Sequence, residues 1–178
     1  GGGDIPEPDY ARGTAVEVTV LDYSPAPGQF VNTAPEYEEG DDSAAMNAKA
    51  TELLNDGYMI SLGAWGGSVT LKLSQPIVNH VDKNDFRIVG NAVYASTSVS
   101  GVRFGSAEPG IVLVMQDANA NGKPDDQWYE IVGSETFNSV ERYAVTYYAP
   151  TADATDKEYI RWEAQNGDSG YLNRTAAY

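Results

Sequence analysis

Apolar and polar residues alternate along much of the chain, in short runs separated by turn-forming residues. In residues 14–21, for example, three valines alternate with a glutamate and a threonine, so that one face of a strand would be buried and the other wet. The same pattern predicts about nine short strands, at residues 14–21, 58–62, 68–74, 86–89, 93–95, 111–115, 128–132, 143–148 and 159–162. Strands of this length and spacing indicate an all-β protein, and we expect a jelly-roll-like β-sandwich.

One short helix is predicted near residues 43–55. Asp41, Asp42 or Ser43 provides an N-cap, and Gly57 ends the helix. Its apolar side chains recur at helical spacing on one face and comprise Met46, Ala50, Leu53 and Leu54. Such a stripe is typical of a helix that packs on a sheet.

The length of 178 residues suits one domain with a substantial core. Residues 1–13 are rich in glycine, proline and acidic residues, which predicts an N-terminal tether. Residues 14–178 then form a single β-sandwich domain. Because residues 170–178 are less polar than a free tail usually is, we expect the domain to be truncated at its C-terminus.

The charge balance narrows the choice of partner. Lys and Arg number 11 against 26 Asp and Glu, a net charge of −15, which argues against nucleic acid or anionic lipid. Divalent cations and neutral molecules remain possible ligands. Without cysteine the chain has no disulfide, no thiol nucleophile and no cysteine-ligated metal, and no apolar run reaches the roughly 18 residues of a membrane span.

The segment from Asp117 to Asp125 has the spacing of a calcium-binding loop. Calcium prefers six to eight oxygen ligands at about 2.3–2.6 Å, and alternating side chains of a tight loop aim their oxygens at one point. Gly122 stands where such a loop turns sharply. The predicted ligands are the side chains of Asp117, Asn119, Asn121 and Asp125 and the main-chain carbonyl of Lys123.

The loop is not an EF-hand, because its twelfth position is Trp128 and strand-like runs flank it on both sides. Asp126 or Glu130 would supply the closing carboxylate, and the spacing does not choose between them. The alternative is a metal-free turn, since Asn, Asp and Gly also form turns for backbone reasons.

Aromatic residues provide the candidate ligand-binding groups. Sugar rings stack on exposed Trp and Tyr, and the negative charge of the protein does not repel a neutral glycan. Small neighbours at Gly63, Gly66 and Gly67 would leave the ring of Trp65 accessible, although the same glycines would also permit close strand approach around a buried Trp65. Tyr23, on a proline-rich rim loop together with Phe30, and Tyr129 complete the predicted set.

Enzyme chemistry has weaker support. His80 is the single histidine, and no serine or aspartate motif beside it indicates a triad. Glycoside hydrolysis needs two carboxylates, for which Asp125, Asp126 and Glu130 are the local candidates, but metal binding competes for them. We therefore expect a binding module rather than an enzyme.

Three segments carry a family resemblance: residues 20–32 (VLDYSPAPGQFVN), 60–67 (ISLGAWGG) and 117–130 (DANANGKPDDQWYE). Together they resemble the exported "cell surface protein" lipoproteins of gut anaerobic bacteria, over nearly the whole chain. The resemblance implies a jelly-roll-like fold on the extracellular face of a bacterial outer membrane. It also implies a lipidated N-terminal cysteine, which this chain lacks, as the membrane anchor, and an outer-membrane transporter as a partner.

The combined expectation is a calcium-stabilised cell-surface module that captures a glycan for uptake. Its alternatives are a surface binder of a corrinoid-type cofactor feeding an outer-membrane importer, and a glycan-active hydrolase. A purely structural surface protein that supports partner subunits is a further alternative, which would require a large apolar patch.

Overall fold

The computed structural model describes residues 15–150 and 159–173. Within these ranges the chain is built mostly from short strands, with one α-helix and one turn of 3₁₀ helix. The tether predicted at residues 1–13 lies outside the described residues, as does the C-terminal stretch after residue 173.

Nine strands form small antiparallel sheets in the described ranges. They are β1 Val18–Ser24, β2 Ser68–Leu73, β3 Val93–Val99, β4 Val102–Ser106, β5 Leu113–Met115, β6 Trp128–Glu130, β7 Val145–Tyr148, β8 Tyr159–Ala164 and β9 Ser169–Asn173. Helix α1, Ser43–Asn55, lies between β1 and β2, and the 3₁₀ turn Thr136–Asn138 lies between β6 and β7. The pairs are β1 with β2, β3 with β4 and β5 with β6, and β7, β8 and β9 form a three-stranded sheet with β8 in the centre.

Two predicted strands are wrong. Residues 58–62 and 86–89 join no strand ladder, and the backbone of residues 60–62 bonds to loops instead: Ser61 N donates to Ala34 O at 2.7 Å, and Leu62 O accepts from Ala26 N at 3.0 Å. Conversely, β4 and β9 were not predicted. Both are five residues long and contain a glycine, so their apolar alternation is too short to stand out.

The predicted helix is confirmed with its cap. The Asp42 side chain accepts from Ala45 N at 2.9 Å, and Gly57, at φ 83°, ends the helical path. All residues of the expected apolar stripe except Leu53 belong to a small core that forms between α1 and β1 around Val20, Tyr23 and Ala50. Partly buried residues around this core are Met46, Leu54, Ile60, Leu62 and Val69.

A polar stripe on α1 also meets β1. Asn47, Thr51 and Asn55, four residues apart, each accept a hydrogen bond from a β1 amide at 2.8–2.9 Å. Asn47 and Asn55 donate in return to β1 carbonyls, at 3.0 Å each. The edge of β1 that faces away from β2 is therefore satisfied by helix side chains, which protects it from pairing with another chain.

Candidate ligand-binding site

Two of the segments singled out by sequence, residues 20–32 and 60–67, lie backbone against backbone. Ala26 N donates to Leu62 O at 3.0 Å, and Ala64 N donates to Pro27 O at 3.2 Å. A Cβ on Gly63 would stand 1.9 Å from the Ala26 carbonyl oxygen. The glycines thus permit an approach that a larger residue would block.

Trp65 projects from the loop that this contact holds. Its side chain is 53% exposed, although the loop beneath it is tightly packed. The two interpretations of the glycine-flanked tryptophan are therefore both partly right: the glycines allow close backbone approach, and the indole remains accessible to solvent. An accessible indole on a fixed loop is able to stack on the apolar face of a ligand ring.

The three-stranded sheet meets Trp65 from the other side. The ring centroids of Trp65 and Trp162 lie 4.9 Å apart with the planes at 65°, an edge-to-face contact. The Tyr147 hydroxyl donates to Trp65 O at 2.7 Å. Trp162 packs in turn on Gly170, where a Cβ would stand 3.0 Å from the indole nitrogen.

A shallow cleft of about 330 Å³ opens next to this aromatic group. Its walls come from one loop and one strand, and consist of Pro25, Ala26, Pro27, Gly28, Val31, Asn32 and Ile160. Ile160 and Trp162 share a face of β8 because strand side chains alternate, and Ala64, which precedes Trp65, bonds to Pro27. The cleft and the exposed indole are therefore neighbours.

Tyr23 belongs to the core rather than to an exposed rim, which leaves little of its ring accessible for the stacking role that was predicted. Its side chain is 7% exposed, and its hydroxyl donates to Ser61 O at 2.6 Å. Burial raises the pKa of Tyr23 to about 12. Phe30, predicted on the same rim, is exposed.

Tyr129, the third predicted ligand-binding residue, is 64% exposed and lies on β6 opposite Val114. Among the described residues, no hydrogen bond or aromatic contact joins it to Trp65. The structure therefore does not bring the two predicted ligand residues into one contact group.

The predicted calcium loop connects β5 to β6 and draws its oxygens inward. Asp117 accepts through both carboxylate oxygens, from Asn121 N at 3.0 Å and from Gly122 N at 2.8 Å. Asn119 Oδ1 also accepts from Asn121 N, at 3.0 Å. The side-chain amide nitrogen Nδ2 of Asn121 donates to both carboxylate oxygens of Asp125, at 3.1 and 3.2 Å. Side-chain oxygens of Asp117, Asn119 and Asp125 therefore accept from N–H groups of Asn121 and Gly122 within the same loop.

The oxygen atoms of this loop are of the chemical types that bind a hard cation. Carboxylate, amide and carbonyl oxygens are the ligands that calcium takes. Asp126 lies at the base of the loop, where its carboxylate accepts from Ala118 N at 3.0 Å, and Glu130 accepts from the Thr136 hydroxyl at 3.5 Å. In residues 15–150 and 159–173 no three His, Cys, Asp or Glu side chains group as a metal site, so amides and the Lys123 carbonyl would have to contribute.

His80 bonds within its own loop, through Nδ1 to the Asp85 carboxylate at 3.1 Å. Among the described residues, no hydrogen bond joins a serine to its other ring nitrogen. In the described part of the chain, His80 and Asp85 therefore form a hydrogen-bonded pair without the bonded nucleophile that a catalytic triad requires.

Tyr147, Ile160 and Trp162 were not predicted as members of the site. Side chains alternate along β7, so Tyr147 and Tyr148 lie on opposite faces, but alternation does not show which loop either face meets. That information depends on contacts between distant parts of the chain.

No protein-family profile, curated protein or solved structure matches the chain. In the part of the chain that the structure describes, no helix has the length and apolar composition needed to cross a bilayer.

Proposed function

We propose that this chain is a binding module that captures a neutral glycan by stacking a sugar ring on Trp65 beside the Pro25–Gly28 cleft. The single observation that carries the proposal is an accessible indole on a loop held from two sides. A rigid aromatic surface loses little conformational freedom on binding, so more of the contact energy contributes to affinity. The net charge of −15 favours a neutral ligand over an anionic one.

The arrangement favours a single ring over a long polymer. Of the three tryptophans, only Trp65 is exposed, and its neighbour Trp162 stands at 65° to it, so successive sugar rings find no coplanar pair of indoles. The cleft volume of about 330 Å³ is at the lower end of the range for small-ligand sites. The ligand class is therefore a chain end or a short oligosaccharide.

Calcium is the proposed stabilising ion. The Asp117 loop carries several carboxylates whose mutual repulsion a divalent cation would relieve, and it supplies oxygen donors only. Lys72 of β2 lies next to this loop, with its ammonium 3.2 Å from the position of a Cβ on Gly122. Calcium bound in the Asp117 loop would fix the connection between β5 and β6, and hence the position of β6, which carries Tyr129.

The cellular setting follows the resemblance. We place the module on the extracellular face of a bacterial outer membrane, held by a lipid anchor and passing its ligand to an outer-membrane transporter. Its sheets would pack as a jelly-roll-like sandwich, the architecture that the strand pattern predicts.

The test is binding of neutral oligosaccharides of one to six sugar rings, measured by calorimetry on wild type and Trp65→Ala. We expect Trp65→Ala to weaken binding by about tenfold or more, equivalent to at least about 1.4 kcal/mol. Phe137→Ala is the matched control, because Phe137 is also an exposed aromatic residue but lies on the 3₁₀ turn. Equal affinity in wild type and a folded Trp65→Ala protein would overturn the proposal, as would hydrolysis of the bound oligosaccharide.

A further inference from the structure

Tyr147 connects the three-stranded sheet to the Trp65 loop. Its hydroxyl donates to Trp65 O at 2.7 Å, although the two residues are 82 positions apart in the chain. The side chain is half-buried, and burial raises its pKa, so the hydroxyl remains a proton donor at neutral pH.

The same residue stands next to the other tryptophan. Tyr147 of β7 pairs directly with Trp162 of β8, and Trp162 pairs with Gly170 of β9. Paired side chains on one face of a sheet lie about 4.5–5.5 Å apart at Cβ. Tyr147, Trp162 and Gly170 thus form one row across the sheet, with Trp162 confined between its two neighbours.

This row holds Trp65 at two points. The Tyr147 hydroxyl donates to the main-chain carbonyl of Trp65. The ring of Trp162 contacts the ring of Trp65 edge-to-face, with the centroids 4.9 Å apart. A residue held at its backbone alone keeps the rotational freedom of its side chain, and a ring contact alone leaves the loop free to shift. Both contacts together determine where the indole surface points.

We infer that Tyr147 is a positioning residue that fixes the Trp65 indole in its ligand-accepting orientation. Its consequence for ligand affinity rests on the function proposed above, whereas its effect on indole geometry does not. Tyr147 itself does not contact the ligand. It acts through the main chain of Trp65.

The ligand-free test uses the electronic coupling of two indoles in close contact, which produces a pair of opposite bands in the circular dichroism spectrum. Tyr147→Phe removes one oxygen atom and keeps the ring beside Trp162. We expect the coupled bands to fall at least twofold and acrylamide quenching of tryptophan fluorescence to rise, while cooperative unfolding persists. Trp162→Phe calibrates the measurement, because it removes the coupled partner.

Tyr148→Phe is the matched control. Tyr148 is the next residue on β7 but lies on the opposite face, where its hydroxyl donates to Glu163 Oε2 at 2.5 Å. We expect this variant to keep the wild-type bands. Unchanged bands in Tyr147→Phe would overturn the inference, as would an equal loss in Tyr148→Phe.

The binding arm repeats the oligosaccharide titration with both tyrosine variants. We expect Tyr147→Phe to lower affinity about three- to tenfold and Tyr148→Phe to leave it unchanged. If wild type binds no oligosaccharide but its indole bands depend on Tyr147, the proposed function fails and the positioning role stands. If wild type binds and Tyr147→Phe binds equally well, the positioning role fails and the proposed function stands.

Discussion

The carbonyl oxygen of Leu62 lies 1.8 Å from the position that a Cβ on Gly67 would occupy. No side chain larger than hydrogen fits there without moving backbone atoms. Since Trp65 stands between these two residues in the chain, the tight loop closure determines where its indole leaves the surface.

Gly67→Ala should therefore disrupt the loop. Gly67 is not in the left-handed region that favours glycine, so the cost is steric and amounts to about 3 kcal/mol of unfolding free energy. Gly90→Ala is the control, since nothing lies within 4 Å of its Cβ position, and we expect a change within about 0.5 kcal/mol. Urea unfolding of both variants checks the prediction, and equal midpoints would contradict it.

Asn47→Ala tests the polar contact between α1 and β1. Alanine has the higher helix propensity, so helix formation alone predicts a more stable protein. Asn47 also bonds the amide of Tyr23 and the carbonyl of Leu21, however, and its removal leaves both groups unpaired. We expect a net loss of about 1–3 kcal/mol in chemical denaturation, and a gain in stability would show that the contact contributes little.

Alkaline pH should destabilise the core through Tyr23. Burial raises its pKa from the ordinary value of 10.0 to about 12, because the phenolate is poorly solvated there. A raised pKa means that the stabilising contribution is complete below about pH 10 and is lost as the pH rises toward 12. Urea midpoints should stay level up to pH 10 and then fall.

Tyr23→Phe separates this effect from the titration of the other tyrosines. The variant loses the hydrogen bond to Ser61 and should be about 1–2 kcal/mol less stable at neutral pH. Between pH 10 and 12 its stability should fall less steeply than that of wild type. Parallel curves for the two proteins would rule out Tyr23 as the titrating group.

Calcium should raise the melting temperature if the Asp117 loop binds it. Binding to the native state alone contributes about 2.7 kcal/mol when free calcium is a hundred times its dissociation constant. Asp117→Asn keeps one of the two acceptor oxygens that face the amides of Asn121 and Gly122 and removes the charge, so we expect it to abolish the shift.

The control for the calcium titration is Asp82→Asn. Asp82 has a positive φ of 61°, which asparagine also tolerates, and it lies outside the Asp117 loop. This variant should respond to calcium as wild type does. An equal response in Asp117→Asn would place any bound calcium elsewhere, and no response in wild type would leave the loop as a metal-free turn.

Several local features of this protein were predictable from the sequence. Helix α1 and its Asp42 cap follow from the helical spacing of apolar residues after an acidic cap, and β2 follows from strict alternation. The hydrogen bonds that Asp117, Asn119 and Asp125 accept within their loop likewise depend on a spacing of two to four residues. In each case the residues that determine the local structure lie close together in the sequence.

Tertiary structure alone decided which aromatic residues contact Trp65. A tyrosine in a proline-rich loop is compatible with exposure, but Tyr23 is buried because α1 and residues 60–62 cover it. Trp65 meets Trp162 and Tyr147 across 82 or more residues, and no periodicity encodes that encounter. Periodic patterns specify which face of an element is apolar, whereas the partner of that face depends on how distant segments pack together.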